Sequence, residues 1–298
     1  MNKLLFVSDM VLNSQTVRKF LKGIMEVRVA ANPTPEDILE ADIIVCDMES
    51  DPRLMAAQVH SLRAQCGFRD VPIIVASHRS HARHAKDTLQ SGATEVIFKP
   101  FDGENFVKRV VNALKPVGKR VKIDNDMVMP FISATIDVIE TTTQATAKRT
   151  DLFLKRSYTV FGDVTGMMAL SGECEGVVAI TFKQDLAFKL VAKMADCDET
   201  ELTAADVHDG IGEIINMISG KAKTSLQETE YKFNISLSTV VLGHGHQIAH
   251  RHNAPVIVIV FEADGQPFAV QLCLAPIHRS HKPVGDQDIT ASEPTPVS

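Results

Sequence analysis

Over the first 115 residues, short apolar runs alternate with stretches whose apolar positions recur every three or four residues. The runs are "KLLFV" (3–7), "VRVAA" (27–31), "DIIVCD" (42–47), "PIIVAS" (72–77) and "EVIFK" (95–99). Their length and continuous apolar character predict five strands buried on both faces. Between them, "SQTVRKFLKGI" (14–24), "TPEDILEA" (34–41), "RLMAAQVHSLRAQ" (53–65), "HARHAKDTLQSG" (81–92) and "ENFVKRVVNALK" (104–115) carry helical spacing. Thr34 is the expected N-cap of the second helix with Pro35 just inside it, and Gly92 the expected end of the fourth. Strand–helix alternation of this kind predicts a doubly wound α/β unit around a five-stranded parallel sheet.

The pattern then changes. "KPVGKR" (115–120) brings Pro, Gly and three basic residues together and predicts an exposed boundary. "PFISATIDVIETTTQATAKR" (130–149) predicts a long helix, and "GDVTGMMALSGECEGVVAITF" (162–182) a hairpin turning at "SGECEG". "DLAFKLVAKM" (185–194) and "TAADVHDGIGEIINMISGKAKTSL" (203–226) predict a short and a second long helix. "NISLSTVVLG" (234–243), "PVIVIVFEADG" (255–265) and "PFAVQLCLAP" (267–276) predict strands, the last two joined at "ADGQ". This order predicts an α+β unit, an antiparallel sheet with helices on one face. The last 21 residues, 278–298, lack apolar periodicity and predict a disordered tail. The expected division is therefore 1–115, a linker at 116–122, 123–277 and the tail. A length of 298 residues agrees with two domains at roughly 100–200 residues each.

Charge and cysteine usage narrow the classes. The 31 basic and 37 acidic residues give a net charge of −6, and no basic stripe stands out, so a nucleic-acid partner is not expected. Five scattered cysteines without Cys-x-x-Cys spacing predict reduced thiols and a cytoplasmic protein. The early apolar run is cut by Asp9, too short for a signal sequence, and no run is long enough for membrane insertion.

Ligands of a doubly wound sheet sit beyond the carboxyl ends of its strands. Asp9 follows the first strand, Asp47 ends the third, Ser77 the fourth and Lys99 the fifth. Strand-end polar residues often only cap a sheet, but two carboxylates, a hydroxyl and a lysine together form the chemistry of an acyl-phosphate site: oxygen ligands for Mg²⁺ and a cation for a phosphoryl oxygen. Through "LLFVSDM", "DIIVCD", "VPIIVAS" and "GATEVIFKPF", residues 1–115 resemble a response-regulator receiver domain, of flavodoxin-like fold. The resemblance implies that Asp47 is the phosphoacceptor, Ser77 the switch hydroxyl and Lys99 the family's lysine. It implies Mg²⁺ held by Asp9, Asp47 and the backbone carbonyl of Glu49, and phosphate supplied by a histidine kinase or another phosphodonor. Two positions depart from the family: Ser8 replaces one acid of the acidic pair, and Val96 stands at the aromatic switch position.

The helix predicted over 203–226 poses a separate question. At about 100° per residue, Val207, Ile211, Ile214, Ile215, Ile218 and Ala222 form one stripe for the core. Asp209, Glu213 and Asn216 fall opposite, with Gly220 among them and Gly212 on their flank. Glycine costs about 0.5–1 kcal/mol relative to alanine inside a helix, so the expected benefit is close approach by another body. A solvated face is the ordinary explanation of a bare Glu-x-x-Asn. However, "PFISATIDVIETTT", "GDVTGMMALSGECEGVVAITF" and "DGIGEIINMISGKAKTSL" give residues 123–276 a resemblance to the CheX family of chemotaxis phosphatases, related to CheC and FliY. The resemblance implies that Asp209, Glu213 and Asn216 are the phosphatase motif, with Ser238 where the family has proline. It implies one site rather than two, since the equivalent place on the first long helix reads "ETTT" (140–143). It further implies a CheY-like phosphorylated receiver as substrate, the chain's own or a separate one, and a homodimer through this unit. The alternative is a non-catalytic dimerising adaptor. The histidines of "GHGHQIAHRH" (243–252), His244, His246, His250 and His252, lack a Cys or carboxylate at ligand spacing and are expected to form a polar loop rather than a zinc site.

Overall fold

The computed structural model describes residues 1–8, 10–47, 54–115, 123–155, 159–249 and 255–276. The N-terminal half alternates as expected: β1 (Lys3–Val7), α1 (Val11–Phe20), β2 (Glu26–Ala30), α2 (Pro35–Glu40), β3 (Ile43–Asp47), α3 (Met55–Gln65), β4 (Ile73–His78), α4 (Ala85–Gln90), β5 (Glu95–Lys99) and α5 (Gly103–Leu114). All neighbouring strands are parallel, in the order β2-β1-β3-β4-β5. That is the flavodoxin-like order, which places a ligand site at the carboxyl edge by β1 and β3. Side chains alternate between two cores. Leu5, Ile44, Cys46 and Val75 face α2 and α3 residues such as Ile38 and Val59; Leu4, Phe6, Val45 and Ile74 face α1 and α5 residues such as Val17 and Phe106. Thr34 caps α2, its Oγ1 accepting from the Asp37 amide at 3.3 Å. The fourth helix differs from expectation: Arg79–His84 is a 3₁₀ turn and the α-helix starts only at Ala85. "RSHARH" offers only Ala82 as an apolar residue, so no apolar stripe draws that segment into a regular helix against the sheet.

The C-terminal half comprises α6 (Asn125–Thr143), β6 (Ala147–Leu154), β7 (Thr159–Gly172), β8 (Cys174–Phe182), α7 (Gln184–Ala195), α8 (Ala204–Leu226), β9 (Phe233–Ala249), β10 (Ile257–Ala263) and β11 (Gln266–Pro276). Its sheet is antiparallel, in the order β6-β10-β11-β8-β7-β9. Inward residues of these strands, including Ile180, Phe182, Ile259, Phe261, Phe268 and Val270, form one core with α6, α7 and α8. Phe268 stacks on Phe182 and Phe261 with centroids 5.1 and 5.2 Å apart.

Two expectations are corrected here. The helix expected to run to Arg149 ends at Thr143, where Gln144 turns left-handed at φ 54°, and residues 147–154 form the edge strand β6 paired with β10. Helical spacing lapses after Thr143 and Lys148–Leu154 has its own pairing partner. The histidine stretch begins inside β9 rather than in a loop, because β9 stays paired with β7 as far as Ala249. His246 Nδ1 lies 2.8 Å from the Gly243 carbonyl, which requires the proton there, so Nε2 accepts from Thr165 Oγ1 at 2.8 Å. His250 and His252 lie outside the described residues, as do residues 116–122 of the expected linker and the expected tail. Among the described residues, no group of three His, Cys, Asp or Glu side chains could hold a metal, and no helix is long and apolar enough to cross a membrane.

The outer face of the C-terminal sheet, away from the helices, is not bare. Val256, Val258, Ala269 and Cys273 are buried there, and Phe68, from the turn after α3 of the other half, is buried among them. His60 of α3 approaches Gly245 of β9. All five cysteines are thiols: Cys46 and Cys66 in the N-terminal half, Cys174 in the C-terminal half, Cys273 on this seam and the more exposed Cys197. Lys155, half-buried at the seam, has its pKa lowered from 10.5 to about 8, chiefly by loss of water around its ammonium; Asp70 pulls it upward and Arg63 downward. Between about pH 8 and 10.5 the unfolded chain thus holds a proton that the folded chain has given up, and stability rises with pH through that window. Lys155→Met is expected to raise the melting temperature below pH 8, by about 2–4 °C for each kcal/mol recovered. The gain should shrink towards pH 10.5; thermal unfolding across that range checks it, and a gain independent of pH would contradict the assignment.

Candidate functional site

The N-terminal half presents a polar cluster at the carboxyl edge of its sheet. Asp47 ends β3 with only 6% exposure, and each carboxylate oxygen is engaged. Oδ1 pairs with Lys99 Nζ at the end of β5, and Oδ2 accepts from Asn13 Nδ2 at 2.6 Å. Ser77, buried near the end of β4, has its hydroxyl 3.4 Å from His81 Nδ1. The register pairs Asp47 with Ala76 and Ser77 with Phe98, which brings Asp47, Ser77 and Lys99 to one edge as expected. Asp9 and Glu49, the other residues expected to hold Mg²⁺, lie outside the described residues. The donors in question are all oxygens, which suits a hard cation. The Ser8 hydroxyl accepts from the Met10 amide at 3.1 Å. Sequence reading missed Asn13. Helical spacing suggested a start at Ser14, whereas α1 starts at Val11, and that extra turn carries the Asn13 amide to Asp47.

The second cluster lies on α8. Thr203 opens the helix with a capping box: its hydroxyl accepts from the Asp206 amide and Asp206 Oδ2 accepts from the Thr203 amide at 2.8 Å. Val207, Ile211, Ile214, Ile215, Ile218 and Ala222 are all 0% exposed, so the stripe seats the helix and fixes which face remains open. Asp209 and Glu213 are exposed on that face and Asn216 is half-buried. Asp209 meets the neighbouring His208 at 3.0 Å, while Glu213 and Asn216 make no side-chain hydrogen bond among the described residues.

The glycines of α8 divide by role. A Cβ on Gly210 would lie 2.7 Å from Val191, so this glycine lets α7 approach. Gly212 was expected to clear the open face, but it is buried beside Ser238 and Val240 of β9. Only at Gly220 would a Cβ meet nothing within 4 Å, and Gly220 borders the open face. On α6 the corresponding "ETTT" offers no amide. Thr141, Thr142 and Thr143 donate their hydroxyls back to the carbonyls of Asp137, Val138 and Ile139 at 2.6–2.7 Å.

A family model described as "Chemotaxis phosphatase CheX" matches residues 164–262, a span that includes α7, α8 and four of the six strands of the sheet in full or in part. By that match the C-terminal half carries a CheX domain over residues 164–262. Among solved structures, a CheX protein from Desulfovibrio desulfuricans is 30% identical, covering 50% of this chain and 99% of that one, with a TM-score of 0.47. A structure of the CheX–CheY–BeF3–Mg²⁺ complex from Borrelia burgdorferi is 18% identical over 51% of this chain and 99% of that one, at 0.42. The receiver domain of a Bacteroides fragilis response regulator is 18% identical over 39% of this chain and 99% of that one, at 0.35. No curated protein matches. A CheX domain joined to a receiver-like sheet supports a role in chemotaxis signalling.

Proposed function

We propose that the CheX domain is a phosphatase for phosphorylated aspartate in a CheY-like receiver, and that the N-terminal receiver-like domain is its input, phosphorylated at Asp47 by a histidine kinase or another phosphodonor. The division into a receiver (1–115), a linker (116–122), a CheX domain (123–277) and a tail (278–298) belongs to the same proposal. The observation that carries it is the open face of α8, where Glu213 and Asn216 stand one turn apart and make no side-chain hydrogen bond among the described residues.

The chemistry asks little of this face. In an acyl phosphate, water attacks phosphorus, the bond to the aspartate oxygen breaks, and the products are a carboxylate and inorganic phosphate that takes the water's proton. Mg²⁺ at the receiver, where Asp47, Asp9 and the Glu49 carbonyl would hold it in this chain, neutralises charge on the phosphoryl oxygens. The Asn216 amide holds and aims the water. Glu213 pairs with the substrate's lysine, the counterpart of Lys99 here, and sets the register of the helix. Asp209 extends the acidic face that receives that lysine. Rate enhancement of this kind comes from positioning, with no nucleophile on the phosphatase.

The direct test is phosphate release from phospho-receivers by the wild type beside Asn216→Ala; equal rates would leave the adaptor reading in its place. That second reading draws on Ser238, which stands beside Gly212 where the family has proline. For the input site, the full chain treated with a small phosphodonor and Mg²⁺ is expected to gain one phosphoryl mass, absent in Asp47→Ala. An equal adduct in the variant would displace the assignment. Light scattering of the full chain is expected to give a homodimer through the CheX domain, and a monomer at high concentration would remove that part of the proposal.

A further inference from the structure

The two clusters are held apart by the way the halves meet. Phe68 is 8% exposed, inserted among Val256, Val258, Ala269 and Cys273 on the outer face of the C-terminal sheet. The alternate residues of the same strands, Ile257, Ile259, Phe268 and Val270, point the other way into the core beneath α8. Glu213 and Asn216 are on the far side of that helix. Between the seat of Phe68 and the Asn216 amide stand the whole sheet and a helix layer about 10–12 Å thick.

Two further placements widen the separation. Phe68 follows α3, whose eleven residues span about 16 Å, and Asp47 ends β3, the strand before that helix. His60 approaches β9 at Gly245, whereas α8 meets β9 at Ser238, about 20 Å back along the strand. Attack on phosphorus needs reacting atoms about 3–3.5 Å apart.

We propose, resting on the phosphatase reading above, that the α8 face of a chain acts only on a receiver in another molecule and never on the Asp47 of its own chain. The receiver-like domain seated through Phe68 then serves as input, and its phosphate survives next to an active phosphatase domain.

The test keeps any homodimer from hiding the answer. Full-length wild type and Asn216→Ala are phosphorylated at Asp47, freed of phosphodonor, and each diluted into an excess of the Asp47→Asn/Asn216→Ala chain, so that every partner is inert. Loss of phosphate is expected at the same rate constant in both. A wild-type rate about tenfold faster than that of Asn216→Ala would show reaction within one chain and overturn the proposal. In a parallel arm, unphosphorylatable Asp47→Asn chain is added to phosphorylated Asn216→Ala chain and to a separate phosphorylated CheY-type receiver. Hydrolysis of either substrate is expected. If neither is hydrolysed, the phosphatase reading itself falls, and this proposal with it.

Discussion

Asn216→Ala is expected to lower phosphate release from a phosphorylated receiver about a hundredfold, the usual loss when one positioned polar group is removed from a reacting centre. Its melting temperature should stay near that of the wild type. Asn216 lies opposite the buried stripe, and substitutions away from the core usually cost no more than about 0.5 kcal/mol. Glu213→Ala is expected to lose activity by another route. The water keeps its holder, but the helix loses its anchor on the substrate's lysine, so binding to a beryllofluoride-loaded receiver should weaken more than for Asn216→Ala. Phosphate release, thermal unfolding and that binding measurement together separate the roles. Equal binding losses in the two variants would mean that Glu213 does not set the register.

The largest stability effect is expected at Phe268. Its ring lies fully buried between Phe182 and Phe261 and ties β11 to β8 and β10. Phe268→Ala should cost about 3–5 kcal/mol, a large share of the roughly 5–15 kcal/mol that holds a domain. Denaturant unfolding should show the CheX domain's transition moving to lower concentration while that of the receiver-like domain moves little, since Phe268 belongs to the C-terminal core alone. A shift below about 1 kcal/mol would mean that the core closes over the cavity.

The doubly wound sheet was legible because each strand is a compact apolar run and each helix has its own period, so local pattern and pairing agree. Thr34 and the α8 stripe were legible for the same reason: one turn of backbone decides them. Three features depended on non-local contacts. Residues 147–149 read as the tail of a helix, because only pairing with β10 makes them part of a strand. His246 sits in a strand because β7 extends far enough to hold it. Asn13 reaches Asp47 across 34 residues of sequence, and no local rule places an amide there. The seam was invisible for a related reason. Val256, Val258 and Phe68 look like ordinary core residues in sequence, and nothing local shows that they bury one another.

The distribution of thiols turns the protein into its own set of clocks. Burial pushes the Cys46 thiol up to about 12 and raises Cys66, Cys174 and Cys273 as well, and only the thiolate is nucleophilic. None of these four should be alkylated until the structure around it opens, while Cys197, the more accessible one, supplies the reference rate. Opening is local, and the buried sulfurs time three events: Cys46 and Cys66 the loss of the receiver-like core, Cys174 the loss of the CheX core, and Cys273 the parting of the two halves. Phosphorylation that loosens the Phe68 seat would therefore speed the Cys273 clock while leaving those of Cys46 and Cys174 unchanged.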